Sequence, residues 1–179
     1  MSKSILVLSA SPRKGGNSDT LCGEFLRGAR EAGHDAEKIF LRDRKIGYCT
    51  GCEACTRTHQ CVQKDDMAKI LDKMVKADVI VLSTPVYFYT MDAQMKTLID
   101  RTVPRYTEIA GKDFYFIVTA ADPDQGNLER AVDGLRGFTT ECLPDAHEKG
   151  ILYAAGVWQS GEIRNHPAMN QAYAMGKNV

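Results

Sequence analysis

The chain lacks an excess of charge of either sign: 23 basic and 23 acidic side chains leave a formal net charge of zero over 179 residues. Such a balance gives no basic field to draw in nucleic acid and no polybasic patch to hold an anionic membrane, so neither partner is expected. Long apolar runs are missing too. Val79–Leu82 and Phe114–Val118 fall far short of the roughly 20 apolar residues that cross a bilayer. Met1, Ser2 and Lys3 lead straight into strand-like residues rather than a signal peptide, and the expected location is cytoplasmic. The histidines, His34, His59, His147 and His166, show no metal-binding spacing and read as surface or loop residues. In a reducing compartment six cysteines are not expected to build a disulfide framework, yet four of them crowd between positions 49 and 61.

What is present is alternation. Short runs rich in Ile, Val and Leu predict strands near 4–9, 36–41, 78–84, 113–119 and 150–156, and segments of helical period predict helices over 17–32, 65–76, 92–103, 126–141 and 166–176. The first helix gathers Leu21, Phe25, Leu26 and Ala29 on one face and stops before Gly33, a residue suited to a C-terminal cap. Asp65 and Asp66 place acid at the start of the second, where the helix dipole favours it. Five such units predict an α/β fold with a five-stranded, doubly wound parallel sheet of order 2-1-3-4-5 and a ligand crevice at the carboxyl ends of its strands. The length suits a single domain over 1–179, interrupted only by a cysteine-rich insertion at about 44–64. Cys22, on the first helix, and Cys142, near the end of the fourth, read as small buried apolar side chains.

Two connections carry chemistry. After the first strand, the run from Ser9 to Ser18 holds Ser11, Pro12, Arg13, Lys14, Gly15, Gly16 and Asn17 and leads into a helix. Free N–H groups at a helix N-terminus hold an anion, and Ser9, Ser11, Asn17, Ser18 and Thr20 add side-chain donors. This is a phosphate cradle, without the Gly-x-Gly-x-x-Gly spacing of a dinucleotide site or the Gly-Lys-Ser/Thr ending of a nucleotide triphosphatase. An ordinary turn with an N-cap is the competing reading. After the third strand come Pro85, Val86, Tyr87, Phe88 and Tyr89. Pro85 sets the chain direction, and the three aromatic residues offer flat apolar surface to a tricyclic ring unless they pack beneath the next helix. A third loop, opening at Thr119, can close the other side of that ring. Phosphate and flat ring together suit FMN, whose hydride chemistry needs stacking and distance more than a protein acid or base, so no catalytic side chain is expected.

Ser-x-Ser-Pro-Arg-x-x-Gly-Asn-Ser at 9–18, Pro-Val-Tyr-Phe at 85–88 and Met-Lys-x-x-x-Asp-Arg at 95–101 resemble the NADPH-dependent FMN reductase family. The resemblance implies a flavodoxin-like three-layer sandwich. It also implies that Ser9, Ser11, Arg13, Asn17 and Ser18 hold the FMN phosphate and that Pro85, Val86, Tyr87 and Phe88 contact the isoalloxazine. Pro12, Thr20, Tyr89 and Thr119 complete the candidate set from the loops themselves. The implied activity is that of an NAD(P)H-dependent oxidoreductase passing electrons through FMN to a small acceptor such as flavin or quinone, in a dimer or tetramer of identical chains. Asp100 and Arg101 read as a helix-surface ion pair or an oligomer contact.

Cys49, Cys52, Cys55 and Cys61 follow the pattern C-x2-C-x2-C-x5-C, compact enough for four thiolates to converge. Structural zinc favours two C-x2-C knuckles set further apart. The spacing is similar to that of the iron–sulfur flavoproteins, a branch of the same family, which implies a four-iron, four-sulfur (4Fe-4S) cluster near FMN and electron exchange with ferredoxin. Three readings stay open at this point: a cluster, a zinc ion, or metal-free thiols.

Overall fold

The computed structural model describes residues 1–179. Its strands are β1 (Ser4–Ser9), β2 (Asp35–Phe40), β3 (Val79–Tyr87), β4 (Thr90–Met91), β5 (Asp113–Thr119) and β6 (His147–Ala154). Its α-helices are α1 (Asn17–Glu31), α2 (Cys55–Thr58), α3 (Met67–Lys76), α4 (Ala93–Asp100), α5 (Glu129–Phe138) and α6 (Ala168–Lys177). The parallel strands lie in the order β2-β1-β3-β5-β6, which is 2-1-3-4-5 when only those five are counted. The sixth strand, β4, folds back antiparallel on the end of β3, pairing Val86 with Met91 and Tyr87 with Thr90.

Alternate residues of each central strand enter different layers, because successive side chains of a strand point to opposite faces. Leu6, Leu8, Ile80, Leu82, Phe114 and Phe116 pack with residues of α3, α4 and α5, including Met67, Met95 and Leu135. Ile5, Val7, Val79, Val81, Tyr115 and Ile117 pack with Phe25 of α1 and Ala172 of α6 on the other side. Both faces of the sheet are covered, which is why its strands read as unbroken apolar runs rather than alternating ones. Phe25 meets Tyr115 edge to face at 5.5 Å between ring centres. Helices α1 and α6 touch through glycine: a Cβ on Gly28 would strike the Tyr173 carbonyl, and one on Gly176 the Phe25 carbonyl. Gly33, at φ +88°, ends α1 as anticipated, with Gly33 N–H donating to Arg30 O and His34 N–H to Ala29 O, a Schellman pair.

Several boundaries differ from expectation for identifiable reasons. Helix α3 starts two residues late because the Asp65 carboxylate is already accepting hydrogen bonds from the N–H groups of Met67 and Gly47. A 3-10 turn, Gln125–Leu128, replaces the start of the fourth helix, with Asp124 accepting from Gly126 N–H. Another, Glu162–Asn165, precedes α6. Cys22 is buried, but Cys142 lies beyond the end of α5 and is exposed, so its expected burial is corrected. No helix is long and apolar enough to cross a membrane.

Candidate functional site

At the carboxyl ends of β1, β3 and β5 the chain leaves a shallow cleft of about 90 Å³. Ser11, Pro12, Arg13, Asn17 and Ser18 wall it on one side, with Pro85, Val86, Tyr87 and Thr119 facing them. Gly16 stands at the N-cap of α1, where a Cβ would come within 2.7 Å of Ser11 Oγ, so the loop can fold this closely on itself only because the side chain is absent. No capping side chain closes the helix, and the N–H groups of Asn17 and Ser18 donate to no protein acceptor. Those first-turn donors stand at the positive end of the helix dipole and point away from the helix, an arrangement with which an anion is compatible.

Two expected phosphate residues sit behind the cleft rather than in its wall. Ser9 is buried and donates to Asp19 Oδ1 at 3.1 Å, while Thr20 Oγ1 donates to the Gly15 carbonyl at 3.3 Å. Asp19 ties the loop together, since its Oδ2 accepts from Gly15 N–H at 3.1 Å and its Oδ1 meets Lys38 Nζ at 2.8 Å. Lys38, on β2, neutralises a carboxylate that would otherwise oppose an anion at the same helix end. Asp19 and Lys38 were not among the sequence candidates, because an acid in a first helical turn is ordinary and its partner lies on another strand.

The connection after β6 was also missed. Arg13 Nη1 donates to the Trp158 carbonyl at 3.0 Å, Ser160 Oγ to the Gly15 carbonyl at 3.1 Å, and Gly161 N–H to Asn17 Oδ1 at 3.3 Å. These bonds place Val157 and Trp158, the only tryptophan, on the cleft wall.

Phe88 and Tyr89 form the turn between β3 and β4 and do not line the cleft. Their φ values of 49° and 65° put both in the left-handed region, as a two-residue type I′ hairpin requires. Phe88 is fully exposed, and the Arg130 guanidinium stacks over Tyr89 at 5.5 Å. The base of this hairpin is locked by a buried pair: Asp92 N–H donates to Thr84 Oγ1 at 3.0 Å, and Thr84 Oγ1 donates to Asp92 Oδ1 at 3.2 Å. Asp92 Oδ1 also caps α4 through Met95 N–H at 3.0 Å, whereas Oδ2 is buried with no partner. Burial therefore pushes the Asp92 carboxyl up to about 7, against the opposing pull of the Met95 and Thr84 hydrogen bonds.

The insertion forms an open loop whose only regular element is α2. Its stems meet where Lys45 N–H donates to Asp66 Oδ2 at 2.8 Å and Asp66 N–H to the Lys45 carbonyl at 2.9 Å. Cys49, Cys52, Cys55 and Cys61 are all free thiols and line one small pocket of about 30 Å³ together with Arg101. That donor set suits a thiophilic metal or a cluster. No three of the side chains stand close enough to hold a metal ion, however, and the pocket has room for little more than water.

Arg101 is buried inside the fold, which corrects the expected helix-surface pair: Asp100 instead meets Lys96 at 2.5 Å, and Arg101 pairs with Asp65 at 2.7 Å. Burial opposes the guanidinium charge, but Asp65, with a smaller contribution from the nearby Cys61 thiol, raises its pKa above the ordinary arginine value. No residue lines both the thiol pocket and the cleft at the strand ends.

Residues 4–142 match the NADPH-dependent FMN reductase family. The chain belongs to that family. Among its relatives, an iron–sulfur flavoprotein of Archaeoglobus fulgidus is 40% identical over 94 residues, 52% of this chain and 43% of that protein. An iron–sulfur flavoprotein of Methanosarcina thermophila is 40% identical over 99 residues, 55% of this chain and 52% of the relative. The chain thus spans about half the length of the curated relatives it matches. The fold is shared with the NAD(P)H:quinone oxidoreductase from Methanothermobacter marburgensis, at a TM-score of 0.77 and 16% identity, covering 99% of this chain and 96% of the other. With that likeness the flavodoxin-like class and the strand order expected from sequence both stand.

Proposed function

We propose that this chain is an FMN-dependent oxidoreductase that takes electrons from NAD(P)H and passes them to a small acceptor such as a flavin or quinone. The observation that carries the reading is the cleft at the ends of β1, β3 and β5. There the uncapped start of α1 adjoins the apolar wall of Pro85, Val86 and Tyr87 in a chain of the FMN reductase family. In this reading Ser11, Asn17, Ser18 and the first-turn N–H groups hold the phosphate, and Arg13 adds charge at the rim. Pro85, Val86, Tyr87 and Thr119 orient the ring, and Trp158, on the cleft wall, shields it from water. When bound, FMN supplies a centre that accepts hydride from a nicotinamide and releases electrons singly or in pairs. The cleft wall carries no carboxylate or histidine, so the chain's part is to bind, orient and exclude water. Exposed Phe88 and Trp158 favour a homo-oligomer, dimer or tetramer, in which these side chains are covered.

A second reading is favoured by a separate observation, the four free thiols gathered on one pocket. Several relatives are named iron–sulfur flavoproteins, and by that analogy the loop takes up a 4Fe-4S cluster and the chain exchanges electrons with ferredoxin. One experiment separates the two. Anaerobically purified protein is examined by visible spectroscopy before and after NADPH, with iron and acid-labile sulfide assayed on the same sample. Flavin bands that bleach with NADPH in iron-free protein support the first reading. Stoichiometric iron and sulfide with little bleaching support the second, and failure to take up flavin sinks both.

A further inference from the structure

Arg101 is only 2% exposed, and a guanidinium removed from water must find its acceptors within the protein. It finds them on the two stems of the cysteine loop. On the incoming stem Nη1 donates to the Gly47 carbonyl at 2.5 Å. On the outgoing stem Nη1 reaches Gln63 Oε1 at 3.1 Å and Asp65 Oδ2 at 2.7 Å, and Nη2 reaches Asp65 Oδ1 at 3.0 Å. Gln63 closes the ring of contacts by donating to the Tyr48 carbonyl at 2.9 Å, and Gly47 has no room for a Cβ because the Gln63 carboxamide lies against it. A pairing that only held α3 to α4 would need Asp65 alone; the Gly47 and Gln63 contacts belong to the loop. The remaining donor, Nε, is buried with no acceptor, on a side chain that lines the pocket of the four cysteines. An unspent buried donor on a cation is unfavourable unless it meets negative charge, and thiolate sulfur, free or metal-bound, carries such charge.

We infer that Arg101 is the positioning residue of the four-cysteine loop, tying both of its stems to the end of α4 and setting a buried positive charge in the wall of the thiol pocket. The inference rests on the reading that the four cysteines work as one site. Its test uses the FMN-loaded chain and three variants, Arg101→Met, Arg101→Lys and Gln63→Ala. FMN fluorescence quenching reports the fold. Bridging of thiol pairs by dibromobimane reports how close the cysteines stand, and anaerobic uptake of ferrous iron with sulfide reports their use as one site.

Arg101→Met is expected to bind FMN as the parent does, to lose bridging several-fold, and to weaken iron uptake roughly 10-fold or more, the range seen when a group supporting a metal ligand is removed. Arg101→Lys keeps the charge but cannot reach both stems, and is expected to recover part of the bridging. Gln63→Ala cuts one stem contact without unpairing a charge and is expected to fall between Arg101→Lys and the parent. Bridging and iron uptake unchanged in Arg101→Met overturn the inference. If Arg101→Met cannot fold, parental behaviour in both Arg101→Lys and Gln63→Ala overturns it instead. A parent chain that neither bridges nor takes up iron shows that the one-site reading itself has failed, and the inference falls with it.

Discussion

Asp92 shows how one side chain couples the cleft to the rest of the molecule. It caps α4, fastens the hairpin base through Thr84, and pays for this with a buried Oδ2 that has no partner. Its carboxyl is held up to about 7 by burial, while in the unfolded chain it ionises near its ordinary 3.8. Between about pH 4 and 7 the folded chain keeps a proton that the unfolded chain has released, so stability falls as pH rises through that window and levels off above it. Asp92→Asn keeps the oxygen that caps Met95 and removes the titration. Thermal unfolding followed from pH 4 to 8 is expected to show a flatter profile for the variant, and a gain on the order of 1–2 kcal/mol at pH 8. A variant profile as steep as the parent's would mean that other groups set the slope. At this scale the sequence pointed to Ser11, Arg13, Asn17 and Ser18, which do line the cleft, since they lie in one short run of the chain. It did not reveal Asp19 with Lys38, or Asp65 with Arg101, since each pair joins different elements.

Among the elements, the contact of α1 with α6 is the least tolerant. Gly28 and Gly176 let the two helix backbones come together, and no flexible side chain can yield to an added Cβ because the atoms in the way are backbone carbonyls. Gly176→Ala is expected to destabilise the chain by about 1–3 kcal/mol despite the better helix propensity of alanine, through overpacking. Urea unfolding checks this, and an unchanged or raised midpoint would show that the helices slide apart at little cost. The β3–β4 hairpin is an element that pattern reading could not find. Type I′ turns are usually announced by Asn-Gly; here Phe88 and Tyr89 occupy the left-handed positions, so the sequence gives aromatic residues where glycine would signal the turn.

Across the whole molecule the division is between a packed sheet and an uncovered loop. Every residue of β1 from Ile5 to Ser9 is buried, whereas none of residues 42–66 is. With Ile46 its one apolar side chain packed against the core, that segment opens at little cost. Hydrogen exchange is expected to be fast across 44–64 and slowest in β1, β3 and β5, and protection of the loop comparable to that of the sheet would contradict the picture of stems held mainly by Arg101 and the Lys45–Asp66 pair. Metal or cluster uptake is then expected to appear as slowed exchange confined to the loop.

The sequence by itself determined the class of fold, the order of its layers and the place of the crevice, because apolar periodicity and the turn chemistry of the loop after β1 are local properties. It also determined that four thiols lie within one connection. Only the tertiary structure decided that Arg101 is buried between the stems of that connection, that the segment after β6 closes on the loop between β1 and α1, and that Cys142 faces solvent. Each of those outcomes depends on contacts between residues far apart in the chain, and such contacts are selected by packing of the whole sheet and its helices rather than by any window of the sequence.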